Sequence, residues 1–181
     1  MRVLARSPLC LCLCLLLVSA HNYAQETQRI APEDYRAQYF GEDLSSQTLW
    51  VSKEQRGHIE KIVEHSFNSF RVRYWGQGQR TGWIFEEIGK ELPITVGVIV
   101  EKDRIIDLTV LEYRESRGGE VVYPFFTSQF LSARLKEGRQ DGLDKSIDGI
   151  TGATLSVRAL KKVATLALYC HQQTAFSQVT Q

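Results

Sequence analysis

The stretch of this sequence best equipped for chemistry is Asp148-Gly149-Ile150-Thr151-Gly152-Ala153-Thr154. It offers a carboxylate and two hydroxyls just ahead of an apolar stripe, Leu160, Val163, Ala164, Ala167 and Leu168, that predicts a helix over about 154–171. The first amides of a helix lack intrahelical partners and its dipole favours negative charge, so a phosphate fits there. Gly152 and Ala153 leave room for a bulky ligand or a modifying enzyme to reach the Thr154 hydroxyl. Asp148 is placed to help hold a metal or polarise that hydroxyl during modification. On spacing alone the plainer reading is an ordinary N-cap at Thr151 or Thr154, since threonine is a preferred cap residue.

The elements that must position this stretch are legible from their periods. Ser52 followed by Gln55 reads as a capping box at the head of a helix over 53–66, with Ile59, Ile62 and Val63 on one face. Phe70-Arg71-Val72-Arg73-Tyr74-Trp75 alternates like a strand with one wet face. Gly76-Gln77-Gly78-Gln79 reads as a turn, and Trp83-Ile84-Phe85 as the start of the next strand. Ile94, Val96, Val98 and Val100, then Ile105, Ile106, Leu108 and Val110 across Lys102-Asp103, predict a β-hairpin. Arg114 to Glu120 reads as an exposed loop, and Phe125, Phe126, Phe130, Leu131 and Leu135 predict a helix over 125–136. The expected fold is α+β: an antiparallel sheet with a central β-hairpin, packed by helices, the last of them amphipathic and C-terminal.

The chain has 181 residues, enough for one core. Its start has the plan of a secretory signal peptide over 1–20: Arg2 and Arg6, the apolar run Leu9–Val18, then Val18-Ser19-Ala20. That run is short for a bilayer span, and an uncleaved anchor is the alternative. Without it the chain carries 20 basic and 21 acidic side chains, which argues against a polycation for nucleic acid. Cys10, Cys12 and Cys14 leave with it, and Cys170 alone builds neither an internal disulfide nor a cysteine metal site. The remaining division is a loosely ordered lead-in over 21–45 with a short helix after Pro32, a ligand-binding domain over 46–172 and a polar tail over 173–181.

Asp148-x-x-Thr151-Gly152-Ala153-Thr154 resembles the D-x-x-[ST]-G-A-T signature of FMN-binding domains in the periplasmic subunits of sodium-pumping NADH:quinone reductase and the Rnf complex. The resemblance spans about residues 90–171. It implies that an FAD:protein FMN transferase, working with magnesium, joins FMN to Thr154 through a phosphoester, with Asp148 as supporting acid and transient magnesium site. Thr151, Gly152 and Ala153 then belong to the cofactor site. In those subunits the strand pair leads into a loop E-T-P-G-L-G near the flavin. Here it reads Glu115-Ser116-Arg117-Gly118-Gly119, in which Glu115, Ser116 and Gly118 match in character and Arg117 replaces proline. The expected protein is a small exported electron carrier in the periplasm, or anchored to the inner membrane and facing it. Its expected partner is a haem- or quinone-linked membrane redox protein. A flavin-dependent reductase and a non-redox FMN-binding module are the alternatives.

Cations near a reduced flavin raise its potential, which makes Arg114 and Arg117 candidates. Tyr113 or Trp75 could stack on the ring, although a core position is the plainer reading of each. His58 and His65 lie about 10 Å apart along one helix, too far to share a metal. Asp141, Asp144 and Asp148 lack the order of a calcium loop. Ser116, Ser128 and Ser132 have no glycine-framed elbow.

Overall fold

Alternation of large apolar side chains decides the centre of the molecule. The computed structural model describes residues 29–177; the expected signal peptide over 1–20, the start of the lead-in and the last four residues lie outside them. Five strands, β1 (Gln47–Trp50), β2 (Arg71–Gln77), β3 (Arg80–Ile88), β4 (Pro93–Glu101) and β5 (Arg104–Glu112), pair antiparallel in sequence order. The predicted hairpin is β4–β5, turning at Lys102-Asp103 with Glu101 opposite Arg104. Two bulges, at Thr95/Val96 and Ile99/Val100, interrupt its register. β2 runs on through Gln77, so the turn is tighter than expected and centres on Gly78, at φ +62°.

Val96, Val98 and Val100 of β4, with Trp83 of β3 and Ile105, Leu108 and Val110 of β5, face one common core. That face is covered by α4 (Thr154–Gln172) and by α2 (Lys53–Val63), whose capping box joins Ser52 and Gln55 as predicted. α4 is deeply sunk: Leu160, Ala164 and Ala167 are fully buried, and so is Cys170, whose thiol pKa is pushed up by burial. Lys162 of α4 reaches Glu87 at 3.2 Å and Glu64 at 3.3 Å with its side chain only 16% exposed. At the far end of α4, Trp83 Nε1 donates to Thr81 Oγ1 (2.8 Å), Thr81 donates to His171 Nδ1 (2.7 Å), and His171 Nε2 donates to the Lys102 carbonyl. A neutral imidazole satisfies these partners, and burial, the largest influence, holds its pKa below the ordinary value.

The lead-in holds the short helix expected after Pro32, and the structure adds where that helix docks. Residues 32–40, Pro32 to Phe40, form α1, and Tyr35 and Phe40 are buried with Ile99 and Leu111 on the opposite face of the sheet. Gly97 makes this packing feasible: a Cβ there would lie 2.3 Å from the Tyr35 ring. The Tyr35 hydroxyl donates to Asp107 at 2.7 Å. The lead-in has few hydrophobic residues, so periodicity gave no sign that a tyrosine ring would cover a glycine.

The predicted helix over 125–136 is also corrected. The chain makes a 3₁₀ turn at Gly119–Val122, a single turn α3 (Pro124–Thr127) and a second 3₁₀ turn at Ser128–Phe130. Phe126 and Phe130 are buried, but Phe125 is 65% exposed. After Phe130 the backbone leaves the helix because Ser132 N–H and the Ala133 carbonyl pair with Ile105 at the start of β5. The hydrophobic spacing marked Phe126 and Phe130 correctly as core, but not Phe125 or Leu131, and it misread the backbone.

Candidate functional site

Thr154 opens α4 as its first helical residue and is exposed. The N-cap position belongs to Ala153, which has no side chain to cap with. The plain alternative, a threonine used as a cap, is therefore not what the structure adopts. The amides of Thr154, Leu155 and Ser156 find no protein acceptor among the described residues, whereas Val157 N–H bonds to the Ala153 carbonyl at 3.0 Å. Gly152 precedes them at φ +83°, with open space where a Cβ would stand.

A groove of about 600 Å³ lies beside this helix head. Its walls come from three segments: Lys90 and Glu91 of the β3–β4 turn, Glu115 to Arg117 after β5, and Gly152 to Ser156. Two side chains join the walls. Glu115 Oε1 accepts the amides of Lys90 (2.6 Å), Glu91 (2.6 Å) and Leu92 (2.9 Å). These amides hold the Glu115 carboxyl below its usual pKa, so it is anionic at neutral pH. Tyr113 donates its hydroxyl proton to the Arg117 carbonyl at 2.5 Å. That leaves its oxygen as acceptor for the Ser156 hydroxyl at 3.0 Å. Gly118, at φ +80°, completes the junction, because a Cβ there would sit 3.0 Å from both Ala153 Cβ and the Tyr113 hydroxyl.

Of the residues expected at a cofactor site, Thr154, Gly152, Ala153, Glu115 and Ser116 line this groove, and Gly118 packs behind it. Thr151 and Asp148 are exposed on the preceding loop and do not line it. Asp148 is fixed through its backbone, whose N–H donates to Gln129 Oε1 at 2.8 Å. Arg114 is turned away, bonding Glu112 (2.6 Å), Thr95 (2.9 Å) and the Pro93 carbonyl (2.9 Å). Trp75 packs on the outer face near Tyr35. Tyr113 is 7% exposed and acts as a bracket rather than an open stacking surface. Lys90, Glu91 and Ser156 were not foreseen; only the fold brings Lys90 and Glu91 to Thr154, whereas Ser156 shares its helical turn.

Other clefts lack this chemistry. One of about 620 Å³, between His58, Lys61 and residues 135–141, contains none of the motif. Among the described residues no group of three or more His, Cys, Asp or Glu converges on a metal position, and no helix is long and apolar enough to cross a membrane. The groove beside Thr154 falls within the roughly 300–1,000 Å³ typical of cofactor sites. Its free first-turn amides and exposed hydroxyl suit a phosphate-bearing ligand.

No curated protein and no solved structure matches the chain. A family model does, over residues 89–169, a span that includes all three walls of the groove and most of α4. That family is the FMN-binding domain, and through this segment the chain is an FMN-binding protein.

Proposed function

We propose that FMN is carried covalently, as a phosphoester of Thr154, and that the protein is an exported electron carrier of the periplasm. The single observation that carries the covalent assignment is the Thr154 hydroxyl: exposed, not used as a cap, and lining the groove at three free amides. In the modification step Thr154 Oγ attacks the FMN phosphorus of FAD. The new O–P bond replaces the pyrophosphate bond, AMP leaves, and the hydroxyl proton passes to the transferase or to water. Asp148, exposed six residues upstream, is open to a transferase that brings magnesium. Afterwards the amides of Thr154, Leu155 and Ser156 face the phosphodiester.

FMN held there supplies electron exchange singly or in pairs. The chain's own contribution is to hold it: Glu115 and Tyr113 fix the groove walls. A covalent link keeps the cofactor on an exported protein, and the segment 1–20 supports export. The partner is a haem- or quinone-linked membrane redox protein.

Co-expression with a flavin transferase, followed by intact-mass and peptide mass spectrometry, tests the assignment. The expected result is one FMN per chain on the peptide containing Thr154, absent in Thr154→Ala. An unmodified Thr154 peptide under conditions that load a control substrate sinks it. Rapid electron exchange with membrane redox proteins, and slow turnover of small organic acceptors, is expected of a carrier.

A further inference from the structure

The groove beside Thr154 is lined by two cations in different situations. Lys90 is paired with Glu91 at 3.1 Å. Arg117 is exposed, and its guanidinium makes no hydrogen bond or ion pair among the described residues. Its backbone, by contrast, is pinned on both sides. The Arg117 carbonyl accepts the Tyr113 hydroxyl at 2.5 Å, and the next residue, Gly118, packs on Ala153. A free guanidinium therefore projects from a fixed base one residue from the contact with the helix head. The two carboxylates lining the groove are already engaged: Glu91 with Lys90, and Glu115 Oε1 with three amides. Neither carboxylate is bonded to Arg117.

We propose that Arg117 binds the FMN phosphate, pairing with the anionic diester at Thr154 while the amides of Thr154, Leu155 and Ser156 meet its other oxygens. This rests on the attachment proposed above. Arginine suits the role because its charge is permanent and its donors form charge-assisted hydrogen bonds to phosphate. The amides supply direction, and Arg117 supplies the full charge that a helix terminus lacks.

Loaded wild-type, Arg117→Gln and Arg117→Lys proteins are compared by phosphorus NMR, with intact mass reporting attachment and near-UV circular dichroism reporting folding. A displaced diester resonance in Arg117→Gln, lying nearer wild type in Arg117→Lys, is expected. An unchanged resonance in Arg117→Gln overturns the pairing. If wild type does not load, the covalent assignment fails on its own evidence. The pairing is then read from the unmodified chain by fluorescence titration with FMN and riboflavin, as it is if only folded Arg117→Gln fails to load. FMN bound about tenfold or more tighter than riboflavin, with the preference lost in Arg117→Gln, supports it. Equal affinities in wild type, a preference that survives Arg117→Gln, or no binding of FMN, overturns it.

Discussion

Removing one oxygen atom, in Tyr113→Phe, should separate the two walls of the groove that carry Arg117 and Thr154. The ring is 7% exposed and fills the same space as phenylalanine, so the change deletes two hydrogen bonds and little packing. Burial, the largest influence, holds the Tyr113 phenol above its usual pKa, so it donates at every ordinary pH. Each neutral hydrogen bond contributes about 0.5–1.5 kcal/mol net. The pair therefore contributes about 1–3 kcal/mol, and at about 2 kcal/mol the melting temperature should fall by about 4–8 °C. Ser156→Ala loses only one of the two bonds and should cost about half as much. In the double variant the Ser156 change should add almost nothing, giving a coupling of about 0.5–1.5 kcal/mol in a thermodynamic cycle. Chemical denaturation of the four proteins measures this. Initial rates of flavin attachment should fall in the same order as stability, because both bonds hold the groove together. Additive single-variant effects, or a Tyr113→Phe protein as stable as wild type, would refute the bracket.

Glu115→Gln should speed hydrogen exchange at the Lys90, Glu91 and Leu92 amides selectively, since one carboxylate oxygen accepts all three. Because Glu115 has a folded pKa below its ordinary 4.5, its stabilisation is complete above that value and is lost as pH falls through the folded one. Gly97→Ala places a methyl group 2.3 Å from the Tyr35 ring and should cost about 1–3 kcal/mol, read as a lower urea midpoint. The two paired histidines should act in opposite directions. His171 is held neutral with its pKa below 6.5, so its contribution is complete above 6.5. It is lost as pH falls, because only the unfolded chain gains a proton; His171→Gln should flatten that acid limb. His65, hydrogen-bonded to Glu87 at 3.0 Å, has its pKa raised above 6.5, so its contribution is complete below 6.5 and is lost as pH rises through the folded value. His65→Gln should remove that alkaline loss from urea midpoints measured across the range.

How much could be read in advance follows from which interactions are local. The capping box of Ser52 and Gln55 closes within one turn, and the β4–β5 hairpin closes across Lys102-Asp103, so both follow from short-range pattern. The apolar stripe of α4 likewise fixed which face lies on the sheet. At 125–136 the same kind of pattern failed. Buried Phe126 and Phe130 fit a helical spacing, but pairing between Ile105, Ser132 and Ala133 drew the backbone out of it. In the lead-in the helix after Pro32 was legible but its docking was not, because Tyr35 finds its partner in Gly97, a residue distant in sequence and lacking any side chain to announce the contact.

By itself the sequence determined that Thr154 stands where a glycine-bearing loop becomes a helix, because capping preference and apolar period are properties of adjacent residues. Only the tertiary structure decided the rest of the site. It left Ala153 in the cap position and Thr154 free, took Arg114 away to Glu112, and brought Lys90, Arg117 and Ser156 to one groove. Glu115 and Tyr113 join those segments across the chain, and such long-range bonds leave no periodic trace in sequence.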